Sequence, residues 1–200
     1  MAHSLLLLIA AWKHWHPGEP LPPACTHPDP VQTLAADVDP SRGRELVLAS
    51  RRLGVALLDH EGQVLAWREI GCADPRYADD ESDLLQLRAV RASGLGARDL
   101  VVHTRDFGHC GTIGHLQLLR RAAGDLVPLL EVDDEEQLMC GSSDDIDLHA
   151  DLEVVRLGLV RLRRTGTVRH WQPSGDYGEP ELFTAEIKYR LHDSVFVADP

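Results

Sequence analysis

From Ala36 to Trp67 apolar and polar positions alternate in short runs broken by turn residues. Glu45–Ala49, Gly54–Asp59 and Val64–Trp67 predict three strands, the last two joined by a tight turn at Gly62. An Asp-rich turn, Asp37-Val38-Asp39, precedes them. The later runs DLVVHT (from Asp99) and LEVVRL (from Leu152) are rich in β-branched residues, as strands are. Val160 and Leu162 alternate with Arg161 and Arg163, the period of a strand wet on one face. Leu84–Ala92 also reads as a strand. The stretches 59–63, 121–125 and 164–167 each carry a late glycine (Gly62, Gly124, Gly166), which predicts hairpin turns. A closing hairpin is expected over Phe183–Leu191 and Ser194–Ala198, turning at His192-Asp193. Helical periodicity is absent after residue 33, so the expected class is all-β.

The pattern repeats. Asp37-Val38-Asp39 and Glu45-Leu46-Val47 recur ungapped as Asp145-Ile146-Asp147 and Glu153-Val154-Val155. After a short deletion, Leu53-Gly54, Gly62, Val64 and Trp67 meet Leu157-Gly158, Gly166, Val168 and Trp171. A middle copy places Asp99-Leu100-Val101 on Glu45-Leu46-Val47 and continues through Gly114 and Gly124. Three copies, about 33–87, 88–142 and 143–200, make units of roughly 50 residues, the size of a propeller blade. Residues 1–32 form a separate apolar and Pro-rich segment.

Composition narrows the function classes. Formal net charge is −12, with 32 acidic residues against 20 basic ones; nucleic acid is excluded as a partner, because phosphate contacts need a basic face. The apolar run Leu5–Trp12 suits a signal-peptide core and is far short of the ~20 residues of a membrane span. Cys25 sits where a bacterial lipoprotein would carry its lipid anchor, although Pro22 and Pro23 depart from that pattern. Four cysteines (Cys25, Cys72, Cys110, Cys140) allow disulfides in an exported protein or serve as buried thiols. A secreted, periplasmic or cell-surface location is expected, with the cytoplasm as the alternative.

The succession of Asp-x-Asp, a polar turn, Glu-Leu-Val, a glycine and a hairpin ending Val-Leu-x-Trp resembles the FG-GAP/VCBS-type repeats of integrin-like β-propellers. The resemblance covers 34–69 and 143–172, and 88–131 more weakly. It implies a propeller-like array of three or four antiparallel blades, often calcium-stabilised and used as a binding scaffold. The family's calcium positions fall here on Asp37, Asp39 and Glu45, and on Asp145, Asp147 and Glu153. Ser41 and His149 depart from the pattern at the fifth loop position. Hard cations want six to eight oxygens; the competing reading is that these aspartates cap turns by accepting backbone N–H bonds.

A second candidate lies in the middle copy, where an insertion between His103 and His115 carries His103, Asp106, His109, Cys110 and His115. Imidazole, carboxylate and thiolate are transition-metal ligands, which would make this loop the site of a metal-dependent enzyme. No two of these residues share a recognised ligand spacing; the plainer reading makes His103 and His115 strand residues and the loop a solvated insert, and a contact surface for a partner fits the loop better than a metal site does. No catalytic motif is present: G-x-S-x-G, H-E-x-x-H, phosphate-binding and dinucleotide fingerprints are all missing. The sequence therefore points to a non-enzymatic binding or structural module. Its partner would be an unknown protein or small ligand. It would require no cofactor, with calcium as the alternative in a surface adhesion protein.

Overall fold

Among the described residues, the alternating runs become twelve antiparallel strands behind one helix in a computed structural model. It describes residues 2–21, 31–39, 41, 43–51, 53–70, 83–94, 98–108, 111–138 and 144–199, with backbone alone at 2, 83–85, 106–108 and 134–138. The elements are α1 (Ala2–Trp15), β1 (Gln32–Asp39), β2 (Gly43–Ser50), β3 (Gly54–Leu58), β4 (Val64–Arg68), β5 (Asp83–Val90), β6 (Asp99–Gly108), β7 (Gly111–Ala122), β8 (Asp125–Leu138), β9 (Asp145–Arg156), β10 (Leu159–Arg169), β11 (Glu181–His192) and β12 (Val195–Ala198). They form three four-stranded antiparallel sheets in chain order: β1–β4, β5–β8 and β9–β12. The second and third are continuous, because the end of β8 pairs with the start of β9 at Gln137↔Asp147 and Leu138↔Ile146.

The sheets stack through apolar faces. Val47, Ala49, Val55, Leu57 and Ala66 of the first sheet pack on Leu100, Val102, Leu119 and Leu126 of the second. Its opposite face (Val101, Leu116, Leu118, Leu129) packs on Ala150, Leu152, Val160, Leu162 and Phe196 of the third. A middle sheet apolar on both faces reads as a near-continuous hydrophobic run, which is what DLVVHT shows. Arginines cross between the sheets: Arg121 of β7 pairs with Asp39 of β1. Arg68 of β4 meets Glu131 of β8 at 2.6 Å, and Arg88 of β5 meets Asp151 of β9 at 3.1 Å.

The two ends of the stack differ. The outer face of the first sheet (Leu48, Leu53, Ala56, Leu58, Trp67) is covered by Leu8, Ala11 and Trp12 of α1. Leu and Ala favour helix, Lys13 and His14 suit its C-terminal dipole, and Pro17 followed by Gly18 at φ +84° ends it. An isolated helix of this length is marginal in water; burial of Leu8 and Trp12, at roughly 1.5–3 kcal/mol for a large side chain, holds it. The run with signal-like length is thus bedded in the fold. At the other end, the outer face of the third sheet carries a cross-strand ladder, with Glu153 and Glu186 flanking Arg161 and Arg163 also bonded to Glu186. A polar terminal face is how a stacked array ends in solvent.

Several expectations need correction. The C-terminal hairpin completes the third sheet, and among the described residues there is neither a fourth blade nor a closed propeller. The Asp-x-Asp segment is not a loop: Asp37 and Asp39 end β1 at a bulge, and Asp145 and Asp147 begin β9. In the third copy the aspartates and Glu153 lie on one unbroken strand, where the first copy has strand, turn and strand. Gly166 is consequently mid-strand in β10, opposite Leu148 and Phe183. A Cβ there would lie 2.0 Å from the Asp147 carbonyl oxygen, so glycine is required by close strand approach and not by a turn. The turn at Ala123-Gly124 is as expected, both with positive φ (51° and 89°). Trp67 is buried in the first sheet, whereas Trp171 sits outside the strands in a bridge to Tyr177. The 103–115 insertion lengthens β6 and β7, which stay paired out to Gly108 and Gly111, so His103 and His115 are strand residues.

Candidate binding surface on the third sheet

One end of the third sheet's inner face carries a hollow. There β9, β10 and β11 line a groove of about 500 Å³ with Ile146, Leu148, Val168, Leu182 and Phe183, and with Arg164, His170 and Glu181 as its polar groups. Register explains the lining: Ile146, Val168 and Glu181 form one cross-strand row, and Leu148, Gly166 and Phe183 the next. An apolar hollow with few convergent polar groups is the usual form of a ligand site.

The groove is rimmed by the connection from β10 to β11. His170 Nδ1 lies 2.9 Å from Asp144 Oδ2, and the Trp171 N–H donates to Asp144 Oδ1 at 3.1 Å. These bonds hold the Asp144 carboxyl below its ordinary range, the His170 bond being the larger cause. The same bond, together with the carboxylate charge, raises His170. Trp171 packs edge-on against Tyr177 at 5.0 Å between ring centroids, and the Arg169 guanidinium stands over the Tyr177 ring at 5.3 Å. Arg169 also pairs with Asp145. A second, charged hollow of about 740 Å³ lies between β5 and β9, lined by Arg88, Arg91, Arg98, Asp151, Glu153 and Val154.

The sequence candidates disperse. Glu45 is buried, and its two oxygens accept the N–H groups of Val38 (2.8 Å) and Asp39 (3.1 Å). Asp39 accepts from the Ser41 N–H and hydroxyl and pairs with Arg121, as the turn-capping reading requires. Asp37 is exposed on β1. Asp145 pairs with Arg169 and Glu153 with Arg161, while Asp147 is exposed opposite Thr167. His103 lies opposite Leu116 and His115 opposite Thr104, neighbouring positions on one strand pair, so the two imidazoles point to opposite faces. His103 is buried with its ring 6.3 Å from that of His149; His115 Nδ1 is 2.7 Å from Asp133. Asp106 is opposite Ile113 on the ladder. His109 and all four cysteines fall outside the described residues. Among the described residues no group of three or more His, Cys, Asp or Glu side chains is placed to hold a metal ion, and no helix is long and apolar enough to cross a membrane.

Two features escaped the sequence reading. Asp99 is buried and accepts the N–H groups of Ala92 (3.0 Å) and Ser93 (2.7 Å) and the Ser93 hydroxyl (2.9 Å); its alignment with Glu45 was the available signal. The Asp144–His170 pair joins residues far apart in sequence and left no local signal.

The class these observations define is an antiparallel β protein of three stacked four-stranded sheets with a groove on the last. No known protein family matches the chain, nor does any curated protein or solved structure.

Proposed function

We propose that the chain is a non-enzymatic binding or structural module whose sheets are degenerate propeller-type blades of the FG-GAP/VCBS kind. The observation that carries the reading is the stack itself. Successive four-stranded meanders pack face to face, cross-tied by arginines, and the last presents an apolar groove beside a polar rim. Such an arrangement supplies a rigid platform and one hollow suited to an apolar ligand group.

The test is occupancy of that hollow. A solvatochromic apolar dye should bind the purified protein at one equivalent, and Val168→Arg, which places a charge among Ile146, Leu148 and Phe183, should abolish it. Unchanged dye binding in that variant would sink the groove as the ligand surface. Stoichiometric zinc or iron in the purified protein, lost in His115→Ala, would instead favour the metal-dependent enzyme.

An exported location belongs to the same proposal, supported by the Leu5–Trp12 run and the even cysteine count. Burial of Leu8, Ala11 and Trp12 favours a second version, in which the N-terminal helix is retained in the working protein wherever it resides. The intact mass of protein recovered from its native compartment separates the two.

A further inference from the structure

We infer that the open edge of β11 is a pairing surface for a second copy of this chain, forming a two-fold antiparallel ladder centred on Thr184. β11 pairs with β10 along almost its whole length, but β12 covers it only from Tyr189 to His192. The direction of its backbone groups follows from the closing hairpin. His192 and Val195 form the pair across the two-residue turn, and the Asp199 N–H donates to the Lys188 carbonyl at 2.7 Å. The Leu191 N–H points the other way, to Gly158. Alternate residues of an antiparallel strand bond to opposite neighbours, so Leu182, Thr184 and Glu186 direct their N–H and C=O groups past the end of β12. No strand lies there among the described residues.

Natural sheets blunt such an edge with proline, bulges or inward charge. Between Leu182 and Ile187 there is none of these; Pro180 precedes the strand, and Glu186 is held on the outer face by Arg161 and Arg163. The edge is instead exposed and apolar at both ends, with Leu182 at 92% and Ile187 at 38% exposure.

The choice of a second copy rests on charge and register. The edge runs from an acidic end (Glu179, Glu181) to a basic one (Lys188, Arg190), so antiparallel self-pairing sets unlike ends together, whereas parallel pairing would not. The register must keep each residue opposite one of the same face and must stop short of Lys188, whose carbonyl Asp199 occupies. Centring on Thr184 satisfies both conditions. Thr184 then opposes Thr184, Leu182 opposes Glu186, Phe183 opposes Ala185, and Lys188 comes opposite Pro180 of the other copy, at its acidic end. Three hydrogen-bonded pairs give about six backbone bonds, in an isologous contact smaller than the ~1,200 Å² of a tight complex, so the dimer dissociates on dilution.

Sedimentation velocity on the full chain tests this. The wild type should pass from monomer to dimer between about 5 and 500 µM. Leu182→Glu sets two like-charge pairs against Glu186 and should weaken the dimer by at least ~10-fold; its exposure leaves the fold intact, which circular dichroism checks. Leu182→Lys, which makes those pairs attractive and leaves Glu186 with Arg161 and Arg163, should instead keep or tighten the dimer. Thr184→Pro, which removes the central donor, should leave a monomer. A wild type that stays monomeric throughout the range overturns the inference, as does a dimer indifferent to Leu182→Glu and Thr184→Pro. A dimer weakened by Leu182→Lys as much as by Leu182→Glu overturns the register.

Discussion

Glu45 and Asp99 occupy the same place in consecutive sheets and perform the same task. Each buried carboxylate accepts the backbone N–H groups of the residues six and seven positions earlier, Asp39 and Val38 in one case and Ser93 and Ala92 in the other. Each thereby closes the connection between the first two strands of its sheet. In the third copy Glu153 cannot do so, because the equivalent segment is straight strand and its carboxylate meets Arg161.

Removing either lock leaves two N–H groups without that acceptor, both buried at Asp99 and one buried and one part-buried at Glu45, at ~1–3 kcal/mol for each unsatisfied buried group. Glu45→Ala and Asp99→Ala should each destabilise by about 2–4 kcal/mol in urea unfolding, whereas Glu153→Ala should be within ~0.5 kcal/mol of wild type. Equal effects from all three would contradict the distinction.

The helix α1 should behave as part of the folded unit. Trp12→Ala removes a side chain packed on the Trp67 face and should cost about 3–5 kcal/mol. A melting temperature indifferent to this change would show that the helix is not docked.

Gly166 is placed by strand approach and not by a turn. Gly166→Ala forces a methyl group against the Asp147 carbonyl and should cost roughly 1–3 kcal/mol. Gly62→Ala meets no neighbour and is opposed only by its positive φ, so it should cost about 1 kcal/mol. The order of the two midpoints is the check.

The Asp144–His170 pair should make the groove rim sensitive to pH. His170 is raised above its ordinary value near 6.5, so its contribution is complete at lower pH and is lost as pH rises through the folded value. Asp144 is lowered from 3.8, so its contribution is present above that value and is lost as pH falls through the folded one. The pair is therefore intact from mildly acidic pH to beyond the ordinary histidine midpoint. NMR titration should place the His170 midpoint above 6.5, and Asp144→Asn should bring it down; an unchanged midpoint would refute the coupling.

Calcium should not stabilise the chain through Asp37, Asp39 and Glu45, because Ser41, Arg121 and two backbone N–H groups already engage Asp39 and Glu45. Equal melting temperatures in calcium and in chelator are expected. A large calcium-dependent rise, lost in Asp39→Ala, would reverse this assignment.

The sequence by itself determined the strand class and most of the strands. Alternation along Val160–Arg163, β-branched runs such as DLVVHT and the turn glycines Gly62 and Gly124 are local signals, and backbone geometry answers to them locally. It also exposed the kinship of the first two sheets through Glu45-Leu46-Val47 and Asp99-Leu100-Val101. Only the tertiary structure decided what the acids do, since Glu45 and Glu153 are alike in sequence and differ in whether a turn or a strand precedes them. It likewise decided that Leu5–Trp12 covers the first sheet, that the 103–115 insertion lengthens two paired strands and that Asp144 reaches His170. Each of these depends on which surface is left open once the sheets have stacked, a property of long-range packing that no run of neighbouring residues encodes.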